Sequence, residues 1–180
     1  MTETSLPDRG LPGRTQPVTA AEAALSDRPV QALAAAYEET YAAILTVLHP
    51  LNHHGVSRVI PACPAWTVRE LVAHMTGVAA DALAARFPVV NPHGAWAERQ
   101  PVIDAFTAEQ VTTRRSMATD EVLAEWADHV PVLSKVLRGE QAFPVGSIPI
   151  IDWMVVCDIA AHNQDLRGAL DLPGTGNPRG

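Results

Sequence analysis

The chain has 180 residues, of which 47% are hydrophobic, and its formal net charge at pH 7 is -7. This length suits a single domain, and the apolar content is sufficient for a buried core. The acidic balance argues against a general nucleic-acid-binding surface, which needs clustered Lys and Arg. No apolar run reaches the ~20 residues of a membrane span, and the N-terminus lacks the basic region and apolar stretch of an export signal. We therefore expect a cytoplasmic protein with no nucleic-acid or membrane partner.

Residues 1–26 are predicted to form a flexible N-terminal tail, because they contain several prolines and glycines and no periodic apolar pattern. The folded domain is expected to cover residues 27–175. Its first helix is predicted from Arg28 to Leu48, where apolar residues recur on one face. This helix should end there, since the residue before Pro50 disfavours the helical conformation.

The second helix is predicted to begin at Thr67. Thr67 and Glu70 have the spacing of a capping box, in which each side chain binds a free backbone N–H of the first turn. Trp66, directly before the cap, is placed to pack onto the first turn of the helix. We expect the helix to extend to about Phe87, where Pro88 stops it.

The remaining elements are also helical. Residues 88–118 contain three prolines, so we expect an irregular segment with a short helix from Thr107 to Arg115. A third long helix is predicted from Thr119 to Leu137, and Pro131 should kink or split it. The last helix is predicted from Ile150 to Leu170. With no strand pattern and no internal repeat, the sequence predicts an all-α protein built as a four-helix bundle.

Asp158 and His162 form the most informative pair in the sequence. They lie four residues apart in the last helix, so their side chains share one face and can bind one metal ion. His74, in the second helix, supplies a third candidate ligand. Two histidines and one carboxylate with open positions are typical of a catalytic zinc site. A structural pairing of Asp158 with His162 remains the alternative.

Two further residues follow the pair in the same helix. Asp165 lies three residues past His162 and is placed to accept a hydrogen bond from its imidazole. Arg167 is a candidate for binding an anionic cofactor or substrate, or for stabilising the helix C-terminus. The other histidines considered, which we expect to be ordinary surface residues, are His53, His54, His93 and His129.

The cysteines and tryptophans are interpreted mainly as structural residues. Cys63 and Cys157 are predicted to be free thiols, with Cys157 in the core. Trp96 lies in the irregular segment and is a candidate for lining a pocket. The tryptophans expected to pack between helices are Trp66, Trp126 and Trp153.

Two segments, Pro61–Val78 and Asp158–Leu170, carry a family resemblance. Together they are similar to the mycothiol-dependent maleylpyruvate isomerase family, which is part of the DinB-like superfamily of four-helix bundles. The resemblance covers about residues 28–172, and the order and spacing of the two motifs make it specific.

The resemblance implies a divalent metal, commonly zinc, held by a histidine of the second helix and a Glu-x-x-x-His pair of the fourth. In this sequence those positions are His74, Asp158 and His162, with Asp158 standing where the family pattern has glutamate. The family's isomerases also carry a smaller C-terminal domain. Because this chain ends at Gly180, we expect no second domain here.

The function implied is that of a metal-dependent enzyme that uses mycothiol, as an isomerase or an S-transferase, on a small electrophilic substrate. A metal-bound thiol loses its proton readily, and the thiolate attacks an electrophilic carbon; a bound hydroxide would instead hydrolyse a substrate. The expected partners are the thiol and the substrate, with a homodimer left open. The alternative is a non-catalytic helical module that binds a metal or ligand.

Overall fold

The structure is a computed structural model, and the residues that it describes are 30–90, 93–148 and 150–174. The predicted flexible tail, residues 1–26, lies outside the described residues. Within the described part of the chain, six helices and one two-stranded sheet follow one another. They are α1 (Val30–Leu48), α2 (His53–Val56), β1 (Val59–Ile60), β2 (Cys63–Thr67), α3 (Val68–Leu83), α4 (Trp96–Thr113), α5 (Thr119–Leu137) and α6 (Ile151–Ala169).

The four long helices that the sequence predicts form the bundle. Helix α1 packs against α5 and α6, and α3 packs against the same two helices, while α4 lies against α3. The predicted all-α, four-helix architecture is therefore confirmed. Among the described residues, no helix combines the length and the apolar character that crossing a bilayer requires.

Helix α3 is the most buried helix of the fold, and its start follows the predicted capping box. The Thr67 hydroxyl accepts a hydrogen bond from the Glu70 N–H at 3.3 Å, and the Glu70 carboxylate accepts one from the Thr67 N–H at 2.8 Å. The helix ends at Leu83, earlier than predicted, because Ala85 adopts a left-handed conformation with φ 52°. The Arg86 N–H then returns to the Asp81 carbonyl at 3.0 Å, which closes the last turn.

Helix α4 corrects the prediction for residues 88–118. Instead of a short helix from Thr107 to Arg115, a long helix begins at Trp96 and contains Pro101. Proline in a helix removes the hydrogen bond to the carbonyl four residues earlier, here that of Ala97. Both Ala97 and Pro101 are exposed, so water can bind the carbonyl and the helix tolerates the proline.

Helix α5 likewise continues through Pro131 and is not split. Pro131 and Ala127, whose carbonyl loses its helical partner, are both exposed to solvent. Trp126, one residue before Ala127, is fully buried and donates a hydrogen bond from Nε1 to the Tyr37 hydroxyl of α1 at 3.0 Å. Burial raises the pKa of Tyr37 well above its ordinary value, so its hydroxyl stays protonated.

The small antiparallel sheet is the element that the sequence does not predict. Ile60 pairs with Cys63 and Val59 pairs with Thr67, so the hairpin leads the chain directly into the cap of α3. The first strand has only two residues, which is too short to produce an alternating apolar pattern.

Two side chains of α6 do not lie where the sequence predicts. Cys157 is exposed instead of buried, and Trp153 is 42% exposed instead of packed between helices. Helix α6 turns one mainly apolar face towards the bundle in a stripe of buried residues, and Cys157 and Trp153 lie off that stripe. The buried residues of that stripe are Ile151, Val155, Val156, Ile159, Asn163, Leu166 and Ala169.

Candidate metal centre

The three predicted ligands converge between α3 and α6. Nε2 of His74 lies 3.5 Å from Oδ1 of Asp158, and Nε2 of His162 lies 3.6 Å from the same oxygen. One ligand atom from each residue lies within 4.8 Å of the others. His74 is buried, and the other two residues are partly buried. The bundle therefore brings two imidazoles and one carboxylate to a common point.

The spacing of these atoms fits a metal ion. A tetrahedral zinc with bonds of about 2.0–2.2 Å separates neighbouring ligand atoms by about 3.4 Å. The two separations at Asp158 Oδ1 are close to this value. Asp158 Oδ2 is buried without a hydrogen-bond partner, and such an oxygen is costly unless something compensates it. A cation between the three side chains would compensate the carboxylate charge.

A chain of hydrogen bonds fixes the orientation of the His74 ring. Gln110 of α4 donates from Nε2 to Asp81 Oδ2 at 2.7 Å, and its Oε1 lies 2.7 Å from His74 Nδ1. Because an ionised carboxylate only accepts, the amide oxygen must face the imidazole, so Nδ1 carries the proton. Arg86 in turn donates to Asp81 Oδ1 at 2.7 Å. The Nε2 lone pair of His74 is thereby left free on the side of Asp158.

His162 is oriented in the same manner by its own helix. Its Nδ1 donates to Asp165 Oδ2 at 2.9 Å, which is the contact that the sequence predicts. The Nε2 lone pair therefore faces Asp158, as it does in His74. Protein metal sites commonly hold their histidines this way, with an acceptor on the second ring nitrogen.

Aromatic packing restricts the two imidazoles further. The rings of His74 and His162 meet edge to face with centroids 5.0 Å apart. Trp66, from the end of β2, also packs against His74, with ring centroids 5.0 Å apart. The capping box at the start of α3 thus positions both His74 and the indole that covers it.

A cavity of about 240 Å³ adjoins two of the three candidate ligands. It lies between α3, α4 and α6, and His74 and Asp158 both contribute to its wall. The other residues that line it are Val78, Phe87, Pro88, Val90, Ile103, Phe106, Thr107, Gln110, Ile148, Ile150 and Met154. A molecule in this cavity would contact the candidate metal centre directly.

Gly77 allows α4 to approach α3 at the level of the site. A Cβ at this position would lie 2.6 Å from Gln110 Cβ, which is closer than side chains tolerate. Neither Gly77 nor Gln110 is identified from the sequence. The signal for Gln110 is its spacing from Ile103 and Phe106, which places a polar side chain on the apolar face of a helix.

Cys63 and Arg167 do not line the cavity. Cys63 is free, and burial together with the Asp165 carboxylate raises the pKa of its thiol, so it stays protonated at neutral pH. Arg167 donates a hydrogen bond from Nε to the Pro173 carbonyl at 2.7 Å and does not line the cavity. Its predicted binding of an anionic cofactor stays a prediction.

The remaining sequence candidates lie away from the site. Trp96 is 57% exposed and does not line this cavity, so its role in lining a pocket stays a prediction. His53, His54 and His93 are exposed, as predicted. His129 is partly buried, with Nε2 3.6 Å from Glu125 Oε1.

The fold and the site together define a class, a DinB-like helical bundle with a candidate three-ligand metal centre beside an apolar cavity. The family model described as the mycothiol maleylpyruvate isomerase N-terminal domain matches residues 38–167. This is more than half of the chain, so the protein belongs to that family, as its two sequence motifs predict. Comparisons with curated proteins and with solved structures found no match.

Proposed function

We propose that this protein is a metal-dependent enzyme that uses a thiol of the mycothiol type, as an isomerase or an S-transferase, on a small electrophilic substrate. The observation that carries the proposal is the convergence of His74, Asp158 and His162 at one end of a cavity. Membership of the mycothiol maleylpyruvate isomerase family supports the choice of thiol.

The three ligands would hold a divalent metal, with zinc the best match to two nitrogens and one oxygen. Such a metal would lower the pKa of a bound thiol, so that the thiolate forms near neutral pH. His74 and His162 each donate from Nδ1 to an acceptor and so present neutral nitrogens. Asp158 then supplies the single negative charge of the ligand set.

The apolar walls of the cavity exclude water from the carbon that the thiolate attacks. In an isomerase the thiolate adds to a double bond, the remaining single bond rotates, and the thiolate leaves. In an S-transferase the carbon–sulfur bond persists in the product. The cavity decides which substrate binds, and the ligands serve both reactions.

A non-catalytic module that binds a metal or ligand is the second candidate. It is favoured by Asp158, which is one methylene shorter than the glutamate of the family pattern. A shorter carboxylate changes the position of a bound metal relative to the cavity. Metal binding would then persist without turnover.

Conversion of a small electrophile in the presence of mycothiol, followed as formation of either the isomer or the mycothiol adduct, tests the proposal. We expect turnover with the zinc-loaded protein, none after chelation, and recovery when zinc is restored. The His162→Ala variant should be inactive, whereas His54→Ala, which changes an exposed histidine, should match the unmodified protein. Turnover that survives chelation would contradict the proposal, and retained zinc without turnover would favour the binding module.

A further inference from the structure

The walls of the cavity are apolar except at the end that holds the candidate ligands. Its polar contributors are His74, Asp158 and Gln110 at that end, with Thr107 on α4. The remaining walls are aliphatic, aromatic or proline side chains from four parts of the fold. Among the described residues that line the cavity, none is lysine or arginine.

Two arginines close in sequence to lining residues, Arg86 and Arg114, are paired with carboxylates outside the cavity. Arg86 pairs with Asp81 at 2.6 Å and lines a separate groove on the other side of Gln110. Arg114 pairs with Glu125 of α5 and lines that same groove. Neither guanidinium reaches the cavity, so neither can neutralise an anionic substrate there.

The charge of the ligand set also limits what the cavity accepts. One divalent cation and one aspartate leave a single positive charge, which one thiolate neutralises. A dicarboxylate bound beside them would place two further negative charges in an apolar cavity whose described lining residues include no lysine or arginine. Burying unpaired charges in this way is strongly unfavourable.

We infer that the site takes a small uncharged electrophile with an apolar body, and not a dicarboxylate such as the maleylpyruvate after which the family is called. This inference rests on the proposed function, which supplies the thiol reaction. The substrate class is inferred from the lining of the cavity. At about 240 Å³ the cavity is smaller than those that enclose drug-sized ligands. An α,β-unsaturated ester or ketone has the required size, neutrality and electron-poor carbon.

The reaction of such a substrate balances without a further reactant. The thiolate forms a carbon–sulfur bond at the β-carbon, and the π electrons move towards the carbonyl oxygen. In a transferase the proton released by the thiol ends on the α-carbon. In an isomerase the thiolate is expelled after rotation, and the double bond forms again.

Three probes of the same carbon skeleton separate the substrate classes: diethyl maleate is neutral and apolar, maleamide is neutral and polar, and maleate is a dianion. We would measure their binding by ligand-observed NMR without thiol, using zinc-free and zinc-loaded protein. Diethyl maleate should bind saturably and at least about tenfold more tightly than the other two, a difference of about 1.4 kcal/mol. Equal or tighter binding of maleamide or maleate would overturn the inference.

Variants of α4 show whether the ester occupies this cavity. Ile103→Lys places a charge in the wall and should weaken binding of diethyl maleate by about tenfold. Val102→Lys is the matched control, because Val102 is 45% exposed and does not line the cavity. Ile103→Gln serves if the lysine variant folds poorly by circular dichroism. Unchanged ester affinity in the Ile103 variants, or equal weakening in Val102→Lys, would overturn the inference.

The zinc-free measurement keeps this inference separate from the proposed function. Ester binding without thiol turnover would reject the enzyme and retain the apolar cavity. Thiol turnover with maleate as the preferred substrate would reject the uncharged substrate class and retain the proposed enzyme.

Discussion

Asp158 is the central residue of the candidate metal centre. Its Oδ1 faces the Nε2 atoms of both histidines, and its Oδ2 is buried without a hydrogen-bond partner. Each histidine is held at its other ring nitrogen, His74 by Gln110 and His162 by Asp165. The lone pairs are thus aimed at the carboxylate before any ion binds, which reduces the reorganisation that binding requires.

Gln110 should contribute to metal affinity although it is not a ligand. In Gln110→Leu the His74 imidazole loses the acceptor on Nδ1 and can rotate or change tautomer. We expect zinc affinity to fall by about 10–100-fold, as measured by competition with a chromophoric chelator. Gln100→Leu makes the same change on an exposed face of α4 and should leave affinity unchanged. A Gln110→Leu protein that binds zinc as tightly as the control would show that the amide does not position His74.

The convergence of His74, Asp158 and His162 could be predicted from the sequence, and so could the contact of His162 with Asp165, whereas Gln110 could not. Asp158 and His162 are visible because one helix places them four residues apart, and the family motifs add His74. Gln110 contacts His74 across an interface between two helices. Such a contact depends on how the helices pack, and a single sequence does not determine that packing.

At the scale of elements, the contact between α3 and α4 decides where Gln110 lies. Gly77 is a point of close approach, and a Cβ there would meet both Cβ and Cγ of Gln110, at 2.6 and 2.8 Å. The side chain of Gln110 would have to move, and His74 would lose its acceptor. The absence of a side chain at one position of α3 therefore controls the geometry of the site.

We expect Gly77→Ala to destabilise the protein by about 1–3 kcal/mol, because the methyl group overpacks the interface. The free energy of unfolding, from denaturant titration, measures the effect. Gly168→Ala is the matched control, since a Cβ at this position of α6 has no neighbour within 4 Å. The control should raise stability by about 0.5–1 kcal/mol through the helical preference of alanine. Similar changes in both variants would contradict a close contact at Gly77.

The sequence predicts helix boundaries correctly where local interactions determine them. It predicts them less well where solvent exposure determines whether a proline is tolerated. The capping box of Thr67 and Glu70 is a local interaction, and it sets the start of α3 as predicted. The sequence predicts that Pro101 breaks any long helix and that Pro131 kinks or splits one. Both helices continue through their prolines, which lie on exposed faces where water can bind the unpaired carbonyl. Which face of a helix meets solvent follows from tertiary packing, so the sequence alone overestimated their effect.

At the scale of the whole molecule, the bundle places its most buried described helix beside the polar cluster of His74, Asp158 and His162. Helix α3 packs against α4, α5 and α6, and it carries His74 into the core. Without a cation, the Asp158 carboxylate is held partly buried between two imidazoles. A metal ion would bind only the native arrangement, because the ligands come from helices that are separate in the unfolded chain.

Zinc should therefore stabilise the folded protein. At a free zinc concentration roughly 100 times the dissociation constant, the gain is about 2.7 kcal/mol. For a chain of this size that corresponds to a rise in Tm of about 5–10 °C, measurable by calorimetry. The His74→Ala/His162→Ala variant should show no rise. If zinc and chelator leave the Tm of the unmodified protein unchanged, the structural pairing of Asp158 with His162 becomes the better interpretation.

The most direct test of the account is the metal content of the protein purified without added metal. We predict about one divalent ion per chain in the unmodified protein, held by the three ligands. The same content is predicted for His53→Ala/His54→Ala, which removes two exposed histidines. The His74→Ala/His162→Ala variant should contain almost none. Equal metal content in the two double variants would contradict a metal centre at His74, Asp158 and His162.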